Sequence, residues 1–226
     1  MSSSVETVKV VLLGESGVGK TSITTQFTEK SFSEEFITSA SATFVSKILE
    51  YEEYQKALKF EIWDTAGQER FRSLAKIFYK DAKVVILVYD ITDEKSFNEM
   101  TSYWYEQVKN NTHEGVIIAI VANKSDLYQR QQVPDEKGQE FASQVKAIFQ
   151  LTSAKSDTGI TNLFENIGKK YFDPNFNLEE VERKAKEDYM KKKQEENMKK
   201  KEPNTPTRFS IDRKTLTKKK DKKKFC

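Results

Sequence analysis

Eight residues, Gly14-Glu15-Ser16-Gly17-Val18-Gly19-Lys20-Thr21, restrict what this chain can fold into more than any other stretch. They match G-x-x-x-x-G-K-[ST], and they stand behind an apolar, β-branched run (residues 8–13) and ahead of a helix-length segment (residues 20–29). Glycines let backbone N–H groups converge on phosphate oxygens at the positive end of the following helix. Lys20 would reach the outer phosphates, the Thr21 hydroxyl would ligate Mg2+, and residues Glu15 to Gly19 with Ser22 would complete the phosphate contacts.

A strand, loop and helix in that order belong to a larger alternating sheet, and the chain supplies one. Residues 44–51 and 58–64 read as strands joined by the polar turn 52–56, so close together that they form a hairpin with one antiparallel strand. Continuous apolar runs at 84–89 and 116–122 predict strands buried on both faces, and a short strand follows at 148–151. Helical segments fall at 94–109, at 135–145 behind Pro134, and at 159–171. The pattern predicts a doubly wound α/β fold with a mostly parallel, six-stranded sheet, one antiparallel strand and helices on both faces.

Charge divides the chain in two. Residues 1–172 carry 20 Lys/Arg against 24 Asp/Glu, net −4, whereas residues 173–226 carry 18 against 11, net +7, which together give the overall +3. The reading is a folded body over 1–172 and a charged tail over 173–226, helical and solvated or disordered. The basic surplus belongs to the tail, so the body lacks a nucleic-acid footprint. No apolar run approaches the ~20 residues a membrane-spanning helix needs. The start shows no signal-peptide pattern, and the single cysteine allows no internal disulfide, which fits a cytosolic protein.

Three further words follow the phosphate loop. Asp64 ends an apolar strand, which aims its carboxylate at the carboxyl edge of the sheet, where it can hold Mg2+ directly or through water. Behind it stand Gly67, whose N–H can approach a third phosphate closely, and Gln68, placed to orient an attacking water. Asn123-Lys124-Ser125-Asp126 follows a buried strand. The Asp126 carboxylate can accept from both N1–H and the exocyclic amine of guanine, a donor pair that adenine lacks. Asn123 would tie the loop together, the Lys124 stem would lie along the ring, and Ser153-Ala154-Lys155 would offer a backbone N–H to the guanine oxygen. Trp63 and Trp104 read as packing residues, and the lone His113 as a loop residue without a catalytic partner.

Over residues 6–172 the chain resembles the Rab family within the Ras superfamily of small GTPases. The resemblance rests on Lys59-Phe60-Glu61-Ile62-Trp63-Asp64-Thr65-Ala66-Gly67-Gln68-Glu69-Arg70-Phe71, on Arg72-Ser73-Leu74, and on Leu87-Val88-Tyr89-Asp90-Ile91-Thr92. It implies a monomeric GTP/GDP switch with Mg2+, slow GTP hydrolysis and a role in vesicle traffic. It also implies exchange factors, GTPase-activating proteins, an escort protein, a GDP dissociation inhibitor and GTP-dependent effectors as partners. By position it assigns Phe32 to packing on the guanine and Ser39, 18 residues after Thr21, to Mg2+ and the γ-phosphate.

The chain also departs from that family. Ser39-Ala40-Ser41 stands where the family has Thr-Ile-Gly, which keeps a hydroxyl but loses a methyl and an apolar contact. A second alignment would give the role of Ser39 to Thr43, and a second functional reading is a nucleotide-locked scaffold whose altered loop no longer responds. Cys226 is the only thiol, where the family carries two, and six lysines lie directly upstream of it. One prenyl chain on Cys226 with that basic run would make the two signals a stable membrane anchor needs. The expected location is therefore the cytosolic face of an endomembrane or the plasma membrane.

Overall fold

Alternation along the central strands builds two cores, because successive side chains of a strand face opposite sides of the sheet. The computed structural model describes residues 4–33, 43–65 and 77–178, with 180, 181 and 183 beyond them. The chain divides into two units, Met1–Leu178 and Glu179–Cys226, and the elements below belong to the first. In order they are β1 (Ser4–Leu13), α1 (Lys20–Glu29), β2 (Thr43–Tyr51), β3 (Lys56–Asp64), β4 (Val84–Asp90), α2 (Glu94–Glu99), a π-helical stretch (Met100–Trp104), α3 (Tyr105–Asn111), β5 (Ile117–Asn123), α4 (Asp135–Gln144), β6 (Ile148–Leu151) and α5 (Ile160–Phe172).

The six strands lie in the order β2-β3-β1-β4-β5-β6. Only β2 is antiparallel, paired with β3 from Thr43 opposite Asp64 to Tyr51 opposite Lys56. This is the doubly wound sheet that the sequence predicts. The chain winds outward in both directions from the neighbouring strands β1 and β4, and at such a switch point a crevice opens at the carboxyl ends.

On one face Val8, Val10 and Leu12 of β1 meet α1 and α5, where the rings of Phe27 and Phe164 stack at 3.6 Å and Phe60 sets its edge against both. On the other face Val11 and Leu13 meet Phe97, Met100 and Trp104. β4 is buried along its whole length, as its unbroken apolar run requires. Each fully buried large apolar side chain of this kind contributes about 1.5–3 kcal/mol.

Two elements differ from the expectation. β1 begins at Ser4, not at residue 8, because β3 offers a ladder that its polar start can join: Ser4 to Thr7 pair with Lys56 to Lys59. The Glu6 carboxylate there takes Lys56 at 2.8 Å and the Tyr171 hydroxyl at 3.2 Å. The helix expected over 94–109 runs on to Asn111 and carries the π-helical stretch in its middle. A π turn accommodates an extra residue, which re-aims side chains around it and is frequent near functional sites.

Tyr89 of β4 is fully buried, and its hydroxyl has no hydrogen-bond partner. Its ring sits edge-on to Phe97 at 5.0 Å, so the apolar part is well packed while the polar atom is stranded. Tyr89→Phe keeps the ring and removes the desolvated oxygen. It is expected to leave stability unchanged or raise it by about 1 kcal/mol, read from urea unfolding midpoints.

Candidate nucleotide site

The loop between β1 and α1 can exist only with glycine at its ends. Gly14 has φ 145°, and a Cβ there would lie 2.3 Å from the Val88 carbonyl oxygen. Gly19 has φ 99°, and a Cβ there would lie 2.2 Å from Asn123 Nδ2. The second contact is the fastening of the site: Asn123 Nδ2 donates to the Val18 carbonyl at 2.8 Å while its Oδ1 accepts from Thr152 Oγ1 at 3.0 Å. One buried amide thus ties the phosphate loop, the end of β5 and the loop after β6 together.

Lys20, at the start of α1, bends back under the loop and donates to the carbonyls of Gly14 at 3.0 Å and Glu15 at 2.8 Å. Burial pushes its pKa down to about 8, against the pull of Asp64 and Glu15 toward the charged form. Ser16 and Gly17 form the exposed crest, Val18 is buried, and Ser22 is half-buried in the first turn of α1.

Asp64 closes β3, fully buried, and accepts from Thr21 Oγ1 at 2.5 Å. Burial raises its pKa, opposed by hydrogen bonds from Thr21 and Thr43 and by the charge of Lys20. Its second oxygen, Oδ1, is buried with no hydrogen-bond partner. An orphaned carboxylate oxygen beside a threonine hydroxyl is a hard, all-oxygen donor set, which suits Mg2+. Thr43 lies opposite Asp64 in the ladder and braces its carboxylate. Ser39 lies outside the described residues, as do Gly67 and Gln68.

At the other end of the crevice, Asp126 Oδ1 accepts from Ser153 Oγ at 2.6 Å, and the Ser156 N–H donates to that same hydroxyl at 3.1 Å. The Ser125 N–H donates to the Thr152 carbonyl at 3.0 Å. Lys124 takes the left-handed conformation (φ 66°, ψ 36°), and its ammonium pairs with Asp90 at 2.6 Å. Ala154 is buried beneath the turn, whereas Lys155 is exposed. Phe32, past the end of α1, is 38% exposed.

The structure adds two residues that the motif words do not contain. Trp104 is indeed buried, but its indole Nε1 also donates to Glu15 Oε1 at 2.9 Å, so the π-helical stretch reaches the phosphate loop. Asp90 reaches Lys124 because β4 and β5 end side by side, with Asp90 opposite Asn123. Its signal in the sequence is an acidic residue closing an apolar strand, the same signal that marks Asp64. His113 pairs with Asp81 at 3.2 Å on the exposed surface, away from these groups.

A phosphate loop with its lysine, a threonine–aspartate oxygen pair and a carboxylate held for a base define a P-loop protein of the guanine-nucleotide type. The chain matches the model of the Ras family over residues 9–173, and it belongs to that family, within its Rab branch. It is 44% identical to Ras-related protein RabC of Dictyostelium discoideum over 157 residues, 70% of this chain and 80% of that one. It is 38% identical to human Ras-related protein Rab-22A over 171 residues (76% and 87%), and 36% identical to RABE1d of Arabidopsis thaliana over 185 residues (81% and 83%). The chain is accordingly a Rab-like small GTPase of vesicle trafficking, and this kinship favours a working switch over a locked scaffold.

Gly19→Ala would meet both the positive φ, at about 1–2 kcal/mol, and the Asn123 amide, whose lost partner costs about 1–3 kcal/mol. The variant is expected to melt several degrees below the parent and to purify without nucleotide. A thermal melt and the ultraviolet spectrum of the released nucleotide read the two effects.

Proposed function

We propose that residues 1–172 form a switch that binds GTP or GDP with Mg2+ and hydrolyses GTP slowly, and that 173–226 is the charged tail that brings it to a membrane. The observation that carries the base specificity is the Asp126 carboxylate, held by Ser153 at 2.6 Å in a loop that Asn123 fastens to the phosphate loop. A carboxylate fixed there meets guanine's paired donors without first having to be ordered. Ser153's own N–H is spent on the Thr158 carbonyl, so the amide for the guanine oxygen would come from Ala154.

In the phosphate half, Lys20 would exchange its carbonyl partners for phosphate oxygens, and the loop amides of residues 15–19 would neutralise further charge. Thr21, Asp64 and Ser39 would hold Mg2+, which when bound supplies positive charge to the phosphate oxygens. Gln68 would orient the attacking water, Gly67 would offer its N–H to the γ-phosphate, and Phe32 would cover the guanine face. Loss of that phosphate would release the two segments that touch it. Exchange factors, GTPase-activating proteins, an escort protein, a GDP dissociation inhibitor and GTP-selective effectors are the partners such a cycle needs.

Membrane attachment would come from a prenyl group on Cys226 with the adjoining lysines, all outside the described residues; among the described residues no helix is long and apolar enough to cross a membrane.

Two variants test the reading. Asp126→Asn trades an acceptor for a mixed donor and acceptor. It should weaken guanine nucleotides by about 10- to 100-fold, the worth of one charged hydrogen bond, while improving binding of xanthine nucleotides, which carry a carbonyl where guanine has its amine. Competition binding against XDP reads this, and unaltered selectivity would remove Asp126 from its role. Gln68→Leu should slow single-turnover GTP hydrolysis by about tenfold or more, because the group that orients the attacking water is gone, with GTP affinity preserved.

A further inference from the structure

Asp90 belongs to none of the nucleotide-binding words, yet it holds the one side chain of the base loop that would lie flat against the ring. We propose that Asp90 is a positioning residue of the base pocket: its carboxylate pins the Lys124 ammonium, which fixes the Lys124 stem as a wall for the guanine ring and slows nucleotide release. The proposal rests on the guanine reading above.

The topology brings the two residues together. Asp90 ends β4 directly beside Asn123, which ends β5, and the Ile91 N–H donates to the Asn123 carbonyl at 3.1 Å. The strand end that carries Asp90 is therefore locked to the residue before Lys124. The carboxylate itself is aimed from below: Oδ1 accepts the Thr92 N–H at 2.8 Å and the Thr92 hydroxyl at 2.7 Å. Ser96 clasps the same main chain, accepting the Asp90 N–H at 3.0 Å and donating to the Asp93 carbonyl at 2.7 Å. That leaves Oδ2 for Lys124, at 2.6 Å.

The pair is no ordinary surface ion pair. The two side chains are 10% and 25% exposed, so solvent screens the contact little. Lys124 also holds the left-handed conformation, which is strained for a non-glycine residue. A lysine stem is among the most flexible side chains, and immobilising it on binding would subtract from affinity. Anchored at its head by Asp90 and at its root by the β4–β5 ladder, the stem is already ordered before a base arrives. Asp90 thus acts on the nucleotide through Lys124, and its effect should vanish when Lys124 is absent.

That dependence is the test. The full chain is loaded with fluorescent N-methylanthraniloyl-GDP and chased with excess GDP, for the parent, Asp90→Asn, Lys124→Ala and the double variant. Asparagine keeps an acceptor for Thr92 and loses the charge. Asp90→Asn should release nucleotide about three- to tenfold faster, the kinetic equivalent of freeing one long side chain. The same change in the Lys124→Ala background should alter release less than twofold. Thr92→Val, which removes only the hydroxyl that aims the carboxylate, should accelerate release in the same direction by a smaller factor, and it stands in if Asp90→Asn does not fold. Unchanged release in Asp90→Asn, or an acceleration as large without Lys124 as with it, overturns the proposal, the latter outcome marking Asp90 as merely structural. A parent chain that retains ADP as well as GDP would overturn the guanine reading, and this proposal with it. A parent that selects GDP while Asp90→Asn releases it at the parental rate overturns the role of Asp90 alone.

Discussion

A single buried amide sets the geometry of the crevice. Asn123, 2% exposed, donates to the loop that precedes α1 and accepts from the loop that follows β6. Three segments far apart in the chain meet on one side chain of fixed shape, and each contact restrains the others. The phosphate loop can approach only because Gly19 has no Cβ, and Thr152 can donate only because β6 runs parallel to β5 and ends level with it. The distance between the phosphate and base halves is therefore a property of the sheet. A buried amide with both ends satisfied specifies one arrangement, since any other leaves a desolvated donor or acceptor.

Charge in the phosphate half is arranged in the opposite spirit. Lys20 and Asp64 are both buried, and burial drives their pKa values toward each other, Lys20 down to about 8 and Asp64 upward. Each is the other's nearest relief, yet neither is fully satisfied by it: Lys20 spends its protons on backbone carbonyls, and Asp64 keeps one oxygen without a partner. Such a site costs stability in the protein, and a polyanion bound with a divalent cation would restore it. The base half is satisfied by its own hydrogen bonds, whereas the phosphate half keeps a buried oxygen without a partner. That division suits a molecule that must stay selective for one base while responding to the presence of one phosphate.

Much of this was legible from residues alone, for physical reasons. Short, β-branched unbroken runs such as 84–89 favour strands buried on both faces, and glycine spacing before Lys20 admits few conformations. Apart from the acidic end of β4, what escaped had no local signature. The polar start of β1 is a strand only because β3 lies beside it, and no propensity scale sees a partner. The π turn at Met100–Trp104 leaves the apolar periodicity nearly intact, so it reads as ordinary helix. Asp90 and Trp104 act across the sheet, and their roles appear only once strand order puts β4 next to β5 and the helix above the phosphate loop.

These two overlooked residues belong to one structural unit. Asp90 leads through Thr92 and Ser96 into α2, and Trp104 closes the π-helical stretch that continues it. The first end of this unit reaches Lys124 in the loop after β5, and the far end reaches Glu15 in the loop before α1, where the Glu15 carbonyl accepts from Lys20. Backbone angles at Glu99, Met100, Trp104 and Tyr105 are all right-handed helical, so α2, the π turn and α3 are one continuous rod. A rod with a polar contact at either end cannot tilt without disturbing both halves of the site. A packed element, with Phe97, Met100 and Trp104 buried in the core, thus links the loop before α1 to the loop after β5. The spacing of the loop before α1 and the loop after β5 is set by the sheet on one side and by this helix on the other.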